Sequence, residues 1–183
     1  MIGSQTLVSP RLAEDTASMW QLENYLKYLI GIGIAWALIY GQRNIGCTNA
    51  QTDQMQPLMP KESYFMYFPR DRSARDFKPD DLVLYEHTPK GRLAANNYVA
   101  RVIALPGDKV KMEGGTVIVN GNVRADSFVK PEYRMIQDYP EIVVPRDHIY
   151  VLADFRKEMR GDSRAFGPIS THAIVGKVKS PGS

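Results

Sequence analysis

An uncharged run at residues 28–41, YLIGIGIAWALIYG, constrains this chain more than any other part of its sequence. The run is shorter than the roughly 20 residues that cross a bilayer core, but Tyr25 and Leu26 extend it, and Lys27 can place its ammonium among lipid headgroups. Aromatic rings that favour the membrane interface stand near its two ends: Trp20, Tyr25, Tyr28 and Tyr40. We therefore predict a single membrane-spanning helix.

Three other interpretations of this run are weaker. A buried core helix is disfavoured because the run is apolar all round. A cleaved signal peptide is disfavoured because the polar residues 42–44 follow, instead of a small-x-small site. Lipidation of Cys47 is disfavoured because the residues before it, 44–46, fit a lipidation motif poorly. Basic residues stand on both sides of the run, so the charge pattern leaves its orientation open.

The pattern changes after residue 50 to short β-type runs separated by Pro, Gly and Asp turns. We predict strands at 64–68, 82–86, 98–105, 109–112, 116–120, 148–153 and 173–178. Asn120-Gly121 between two apolar runs predicts a hairpin with a type I′ turn. The predicted organisation is a polar, partly helical segment at 1–24, a transmembrane anchor at 25–46 and a mainly β domain at 50–183.

Composition limits the possible partners and cofactors. The 183 residues suffice for one domain plus an accessory segment, and the 23 basic and 20 acidic residues are scattered, which disfavours nucleic acid as a partner. Cys47 is the single cysteine, so an intramolecular disulfide is excluded. The three histidines, His87, His148 and His172, lie far apart in the sequence. We therefore predict neither a metal nor a cofactor.

Two stretches of the β region resemble the type I signal peptidases, the S26 serine peptidases. The more specific is VARVIALPGDKV at 99–110, which is similar to the family's K-R-V-I-G-L-P-G-D-x-V box. The other is KPDDLVLY at 78–85, which resembles the G-D-I-V-V-F strand. The order and spacing of these stretches, with two more described next, carry the resemblance, which implies a signal-peptidase-like β domain preceded by one transmembrane helix.

A third stretch resembles the family's G-D-N-R…D-S-R-x-x-G pattern but departs from it. It reads ADFR at 153–156 and GDSRAFG at 161–167, so Ala153 replaces a Gly and Phe155 replaces an Asn. The connection is one residue longer than in the family, and Met159 or Arg160 stands where a helper Ser is usual. The ending HAIVGKV at 172–178 is also family-like.

The fourth stretch, QMQPLM at 54–59, occupies the place of the family's S-M-x-P-T-L motif. The resemblance implies that the serine nucleophile is replaced by Gln54, and that the lysine general base of the K-R-V-I box is replaced by Ala100. A serine hydroxyl attacks only when a base takes its proton, and a lysine is that base only when desolvation lowers its pKa. Losing nucleophile or base costs a serine hydrolase roughly a millionfold in turnover, and losing both costs little more. We therefore predict a catalytically inactive homologue.

The resemblance also implies which retained residues shape the remaining site. Arg101 and Asp154 are expected to form one structural ion pair, and Asp162 and Arg164 another. The residues assigned to the peptide groove and structural motifs are Met55, Pro57, Arg101, Pro106, Gly107, Asp108, Asp154, Arg156, Asp162, Ser163, Arg164 and Gly167. An apolar cluster near the anchor is expected to contact lipid or a partner, or to pack as core: Met55, Met59, Phe65, Met66 and Phe68.

Three functions remain open at this point. The first is a membrane-anchored, non-catalytic subunit with an extracytoplasmic β domain, which binds or scaffolds an extended peptide or a membrane-protein partner. The second is an active signal peptidase that cleaves preproteins with a relocated nucleophile, Ser63, and with Lys61 or Lys90 as base. The third is a lipid-facing accessory subunit of a larger membrane complex. A serine at the start of a strand is more often a turn residue, which disfavours the second.

Overall fold

The computed structural model describes residues 10–69, 77–88, 94–157 and 161–179, which divide into a helical unit and a β unit at Arg43 and Asn44. The helical unit is one continuous helix, α1 (Pro10–Asn44), which begins at a proline, a residue well suited to the first helical position. Its segment Leu22–Tyr40 is long and apolar enough to cross a membrane.

Apolar side chains point outward around the whole circumference of that segment. Leu29, Ile30, Ile32, Ile34 and Trp36 are each more than half exposed. An exposed apolar surface of this kind is costly in water and suits hydrocarbon. The segment therefore has the composition and length of a membrane anchor.

The β unit contains two antiparallel sheets. Its strands, in chain order, are β1 (Gly46–Asn49), β2 (Tyr64–Pro69), β3 (Leu82–His87), β4 (Asn96–Ala104), β5 (Lys109–Glu113), β6 (Thr116–Val119), β7 (Asn122–Val123), β8 (Tyr139–Val143), β9 (His148–Leu152), β10 (Ile169–Ser170) and β11 (Ile174–Val178). The large sheet has the order β1-β2-β11-β3-β4-β9-β10, and the small sheet has the order β7-β6-β5-β8. A short helix, α2 (Ser163–Phe166), precedes β10. The chain is therefore mainly β after α1, as predicted.

Central strands of the large sheet are buried on both faces, because side chains alternate between two cores. Val83 and Ala100 lie in the core on one face, while Leu84 and Val99 lie in the core on the other. A third core joins the two sheets and contains Ile103 of β4 together with neighbours from β5, β6 and β9.

The seven predicted strands are present with ends shifted by at most two residues. The Asn120-Gly121 turn is also confirmed: both residues have positive φ, 52° and 79°, as a type I′ turn requires, and Val119 pairs with Asn122. β7 is the second strand of the predicted hairpin, but three other short strands were not predicted, namely β1, β8 and β10. Each lies at or near a sheet edge, where hydrophobic alternation is weakest.

The apolar cluster expected near the anchor divides into two groups. Met55, Met59 and Phe65 are buried in the core of the large sheet. Met66 and Phe68 are 50% and 39% exposed on β2. Core packing therefore accounts for the first three, and two remain on the surface.

Candidate functional site

Gln54 lies in a buried turn between β1 and β2. Its side chain is among the largest that are fully buried, with 1% of the residue exposed. Its carbonyl oxygen accepts a hydrogen bond from the Phe155 amide at 2.8 Å. Within the part of the chain that the structure describes, neither Nε2 nor Oε1 of the side chain has a hydrogen-bond partner.

Ala100 lies in the middle of β4, opposite Val83 of β3, and is fully buried in the core beside Tyr98 and Val102. These residues supply an apolar environment of the kind that lowers the pKa of a lysine. The methyl side chain of Ala100 has no titratable group, so the apolar environment has no pKa to lower at this position.

Gly161 joins Gln54 to the side chains on β4. A Cβ at Gly161 would lie 2.1 Å from Nε2 of Gln54 and 2.3 Å from Cδ1 of Tyr98, so both side chains pack directly on its backbone. The Tyr85 hydroxyl donates a hydrogen bond to the Gly161 carbonyl at 2.6 Å. Burial raises the pKa of Tyr85, and the nearby Asp162 adds to the rise, so this hydroxyl remains a donor at neutral pH. Gln54, Gly161 and the two tyrosines thus form one packed group.

The first predicted ion pair is present and bidentate. Nε and Nη2 of Arg101 donate to the two carboxylate oxygens of Asp154 at 2.9 and 2.6 Å. The Phe128 ring lies 3.9 Å from the guanidinium carbon. Burial raises the pKa of Asp154, and the hydrogen bonds and charge of Arg101 offset only part of that rise. The pair ties β4 to the chain just beyond β9.

The second predicted ion pair is also present. Asp162 caps α2 and accepts from Nη2 of Arg164 at 2.7 Å, and it also accepts from the Ala153 amide at 3.0 Å. Ser163 Oγ accepts from the Val151 amide at 2.9 Å, and Arg164 donates to the Arg156 carbonyl at 2.6 Å. These contacts hold α2 against β9.

Arg156 is buried, and its Nη2 lies 3.3 Å from Asp126. Burial lowers the pKa of Arg156, against the opposing charge of Asp126. Among the described residues, none of its three guanidinium nitrogens has a hydrogen bond of good geometry. Asp126 was not predicted, because no motif in its sequence neighbourhood marks it.

The Leu-Pro-Gly-Asp box forms a tight turn between β4 and β5. Asp108 accepts from the Leu105 amide and from the Asn120 side chain, both at 2.8 Å. Gly107 has φ of 92°, which favours glycine, and follows Pro106 directly. Gly167, with φ of 76°, ends α2 in the same way. The role of Pro106, Gly107, Asp108 and Gly167 is therefore to hold the backbone of these turns in place.

A small cavity of about 10 Å³, room for roughly one water molecule, lies between two parts of the large sheet. One wall is the segment from Asn49 to Thr52 that follows β1, and the other includes Asn97 and Val99 of β4. Its apolar floor is formed by Met55, Met59, Phe65 and Leu84. Pro57, in the turn between the two methionines, follows a cis peptide bond. We call the space between the two walls the groove.

The first half of β4 has a free edge beside this groove. On one side β4 pairs with β3 from Asn96 to Arg101, whereas on its other side β9 pairs only from Arg101 to Ala104. Among the described strands, none covers the second side of residues 96–100. Tyr98, Val99 and Ala100 are nevertheless buried, so an added strand would reach mainly the main-chain groups of the half-buried Asn96 and Asn97.

The proposed alternative nucleophile, Ser63, lies in a turn. Its hydroxyl donates to the Pro60 carbonyl at 2.5 Å, and its amide donates to the same oxygen at 3.1 Å. In the described ranges, no ion pair or hydrogen bond joins Ser63 to Lys61. Lys90, Met159 and Arg160, also considered from the sequence, lie outside the described residues.

The known proteins that are similar to this chain belong to one family. The family model for signal peptidase, peptidase S26, matches residues 22–182. Signal peptidase IB of Staphylococcus aureus is 35% identical over 99 residues, a match that covers 45% of this chain and 51% of that protein. Signal peptidase I P of Bacillus subtilis subsp. natto is 28% identical over 109 residues, covering 55% of this chain and 57% of that protein. The chain spans about half the length of the curated relatives it matches.

A solved signal peptidase I from Enterococcus faecalis V583 is 22% identical, with a TM-score of 0.45, and the match covers 57% of this chain and 97% of that one. The family model spans nearly the whole chain, including the apolar segment of α1 and both sheets. The chain therefore belongs to the S26 signal peptidase family.

Proposed function

We propose that this chain is a membrane-anchored, non-catalytic signal peptidase homologue whose β unit binds extended peptides by adding them to the free half-edge of β4. One observation carries the proposal: residues 96–100 of β4 have no described strand paired on their second side, while the positions that correspond to nucleophile and base hold Gln54 and Ala100. A carboxamide and a methyl group supply neither an attacking atom nor a proton acceptor of suitable pKa.

An extended peptide with small side chains suits the groove best, because the cavity in it has room for only about one water molecule. Main-chain groups of β4 supply hydrogen bonds, and the apolar floor accepts every second side chain of the bound strand. The floor of the groove is apolar, since Met55, Met59, Phe65 and Leu84 line it. A signal sequence or a segment of a membrane protein has the chemistry to occupy it.

A cleavage assay tests the absence of catalysis. We expect the purified full chain in detergent to leave a preprotein with an Ala-x-Ala site intact, because Gln54 and Ala100 provide no nucleophile and no base. The matched variant is Ser63→Ala, which removes the only relocated nucleophile considered above. Cleavage by the wild-type chain contradicts the proposal, and its loss in Ser63→Ala would identify the nucleophile.

The proposal places the β unit outside the cytoplasm, anchored by the Leu22–Tyr40 segment of α1. Family resemblance supports this orientation, since the basic residues on the two sides of the segment do not decide it. We expect a protease added to the outer face of intact cells to digest the β unit, and a protease confined to the cytoplasmic face to spare it. Digestion from the cytoplasmic face alone would reverse the assignment.

A further inference from the structure

The buried charges near α2 and the end of β9 do not balance within the motif residues alone. Three positive and two negative motif side chains lie there: Arg101, Arg156, Arg164, Asp154 and Asp162. The third carboxylate belongs to Asp126, which is outside the motifs. Its side chain is only 13% exposed and lies 3.3 Å from Nη2 of Arg156. Asp126 therefore supplies the charge that makes this group neutral.

Asp126 belongs to the segment 124–138 between β7 and β8, which we call the strap. Main-chain groups hold both of its ends: the Arg124 amide donates to β6 at 2.9 Å, and Asp138 accepts from an amide of the β5–β6 turn at 2.6 Å. Between the ends, side chains of the strap meet the motif region in four places: Asp126 at Arg156, Phe128 at Arg101, Tyr133 at Phe155 and Met135 at Arg164. The strap therefore covers the buried charges through side-chain contacts.

The contact of Asp126 with Arg156 supplies charge rather than hydrogen bonds. Within the described residues, neither Oδ1 of Asp126 nor any guanidinium nitrogen of Arg156 has a hydrogen-bond partner. Arg156 is only 2% exposed, and a guanidinium keeps its charge when it is buried. A buried charge without a counter-ion is strongly destabilising. The stability of the closed strap should therefore depend on the charge of Asp126 more than on its shape.

The strap also contacts the support of the turn that contains Gln54. The rings of Tyr133 and Phe155 pack edge to face, with centroids 4.7 Å apart. The Phe155 amide donates to the Gln54 carbonyl at 2.8 Å. Met55, the next residue along the chain, lines the groove. A chain of direct contacts therefore runs from the strap through Phe155 to the groove.

We propose that the closed position of the strap depends on the neutralisation of Arg156 by Asp126, and that this closure positions the Gln54 turn through Phe155. Without the Asp126 charge, an excess positive charge is buried under the strap, and opening the strap admits water to Arg156. The strap thus couples the charge balance around Arg156 to the shape of the groove. The inference does not depend on the peptide-binding function proposed above.

Limited digestion of the full chain in detergent with chymotrypsin measures the opening of the strap. Chymotrypsin cleaves after aromatic residues, and the rings of Phe128 and Tyr133 are packed in the closed strap. We expect Asp126→Asn to be cut at these two residues about tenfold faster than the wild type, because cleavage follows the population of the open form. The control Glu132→Gln removes a carboxylate from an exposed part of the strap and should be cut at the wild-type rate.

Hydrogen exchange shows whether the opening is local and whether it reaches the Gln54 turn. In Asp126→Asn, the Phe155 amide should exchange faster than in the wild type, because its hydrogen bond to the Gln54 carbonyl is no longer supported. The amides of β3, in the middle of the large sheet, should keep their wild-type exchange rates. Faster cleavage of the strap without faster exchange at Phe155 would overturn the link to the Gln54 turn.

A double variant separates charge balance from packing. In Asp126→Asn/Arg156→Met, two motif arginines face two carboxylates, so the strap should close again and be cut within about twofold of the wild-type rate. Equal cleavage of Asp126→Asn and wild type would show that packing alone closes the strap, which overturns the inference. A double variant that is cut as fast as Asp126→Asn would overturn it as well. That comparison also decides the outcome if Asp126→Asn unfolds as a whole, since recovery in the double variant would support the inference.

Discussion

Two regions of the motif set differ in how well their polar groups are satisfied. In the charged region, Arg101, Asp154, Asp162 and Arg164 are held by short hydrogen bonds that tie β4, β9 and α2 together. At the two positions predicted to replace a nucleophile and a base, the side-chain amide of Gln54 is buried without a hydrogen-bond partner among the described residues, and Ala100 lies in the apolar core. The charged residues therefore have a structural role in joining β4, β9 and α2, whereas no hydrogen bond of the Gln54 or Ala100 side chain gives those positions such a role among the described residues.

The largest effect that would test this contrast is expected at the Arg101–Asp154 pair. Removing one partner of a fully buried pair costs roughly 3–5 kcal/mol. Asp154→Ala should cost more than Arg101→Ala, because an orphaned carboxyl can take up a proton, while an orphaned guanidinium stays charged. The double variant should lose less than the sum of the two, as residues in contact do. Thermal unfolding of the three variants measures this.

The exposed pair Lys111–Glu113 is the matched control for that series. Its single and double alanine variants should change the unfolding temperature little, because water screens the pair. Additive losses at Arg101 and Asp154, or losses as small as those of the control, would contradict the structural function assigned to the charged region.

A smaller effect is expected at Gly161, where the side chains of Gln54 and Tyr98 pack on the backbone. Gly161→Ala places a methyl group against Gln54 and Tyr98 and should cost about 1–3 kcal/mol by overpacking. The substitution Gln54→Ala removes one of the two clashes. The loss of stability caused by Gly161→Ala should therefore be smaller in the Gln54→Ala variant than in the wild type. Gly31→Ala, whose methyl meets open space in α1, is the control for the substitution itself. An equal cost in both backgrounds would show that Gln54 does not pack on Gly161 as described.

Sequence reasoning reached much of the fold, because the signals it used are local. Alternation in strands such as β5 and the Asn120-Gly121 turn depend on neighbours along the chain, and both were predicted. The ion pairs came from family resemblance, since Arg101 and Asp154 are far apart in sequence. Short edge strands such as β1 were missed, because four residues show too little periodicity.

The contacts around Gln54 were not accessible to sequence reasoning. The Gly161 backbone meets Gln54 only through long-range packing, and Gly161 was quoted only as part of a motif. Asp126, which faces Arg156, lies in a segment without regular structure or a recognisable pattern. Whether a buried amide has a hydrogen-bond partner depends on three-dimensional packing. Position 54 could therefore be identified from the sequence, but the unpaired state of its side chain could not.

The turn at Asp108 bears on how the β unit unfolds. Its carboxylate bonds to the end of the β4 turn and to the β6–β7 hairpin, and its carbonyl accepts from the Val144 amide at 2.9 Å, just beyond β8. The core between the sheets includes Ile103 of β4 and Val110 of β5. Opening the small sheet would therefore expose the last part of β4, and the two sheets should protect their amides from hydrogen exchange as one cooperative unit.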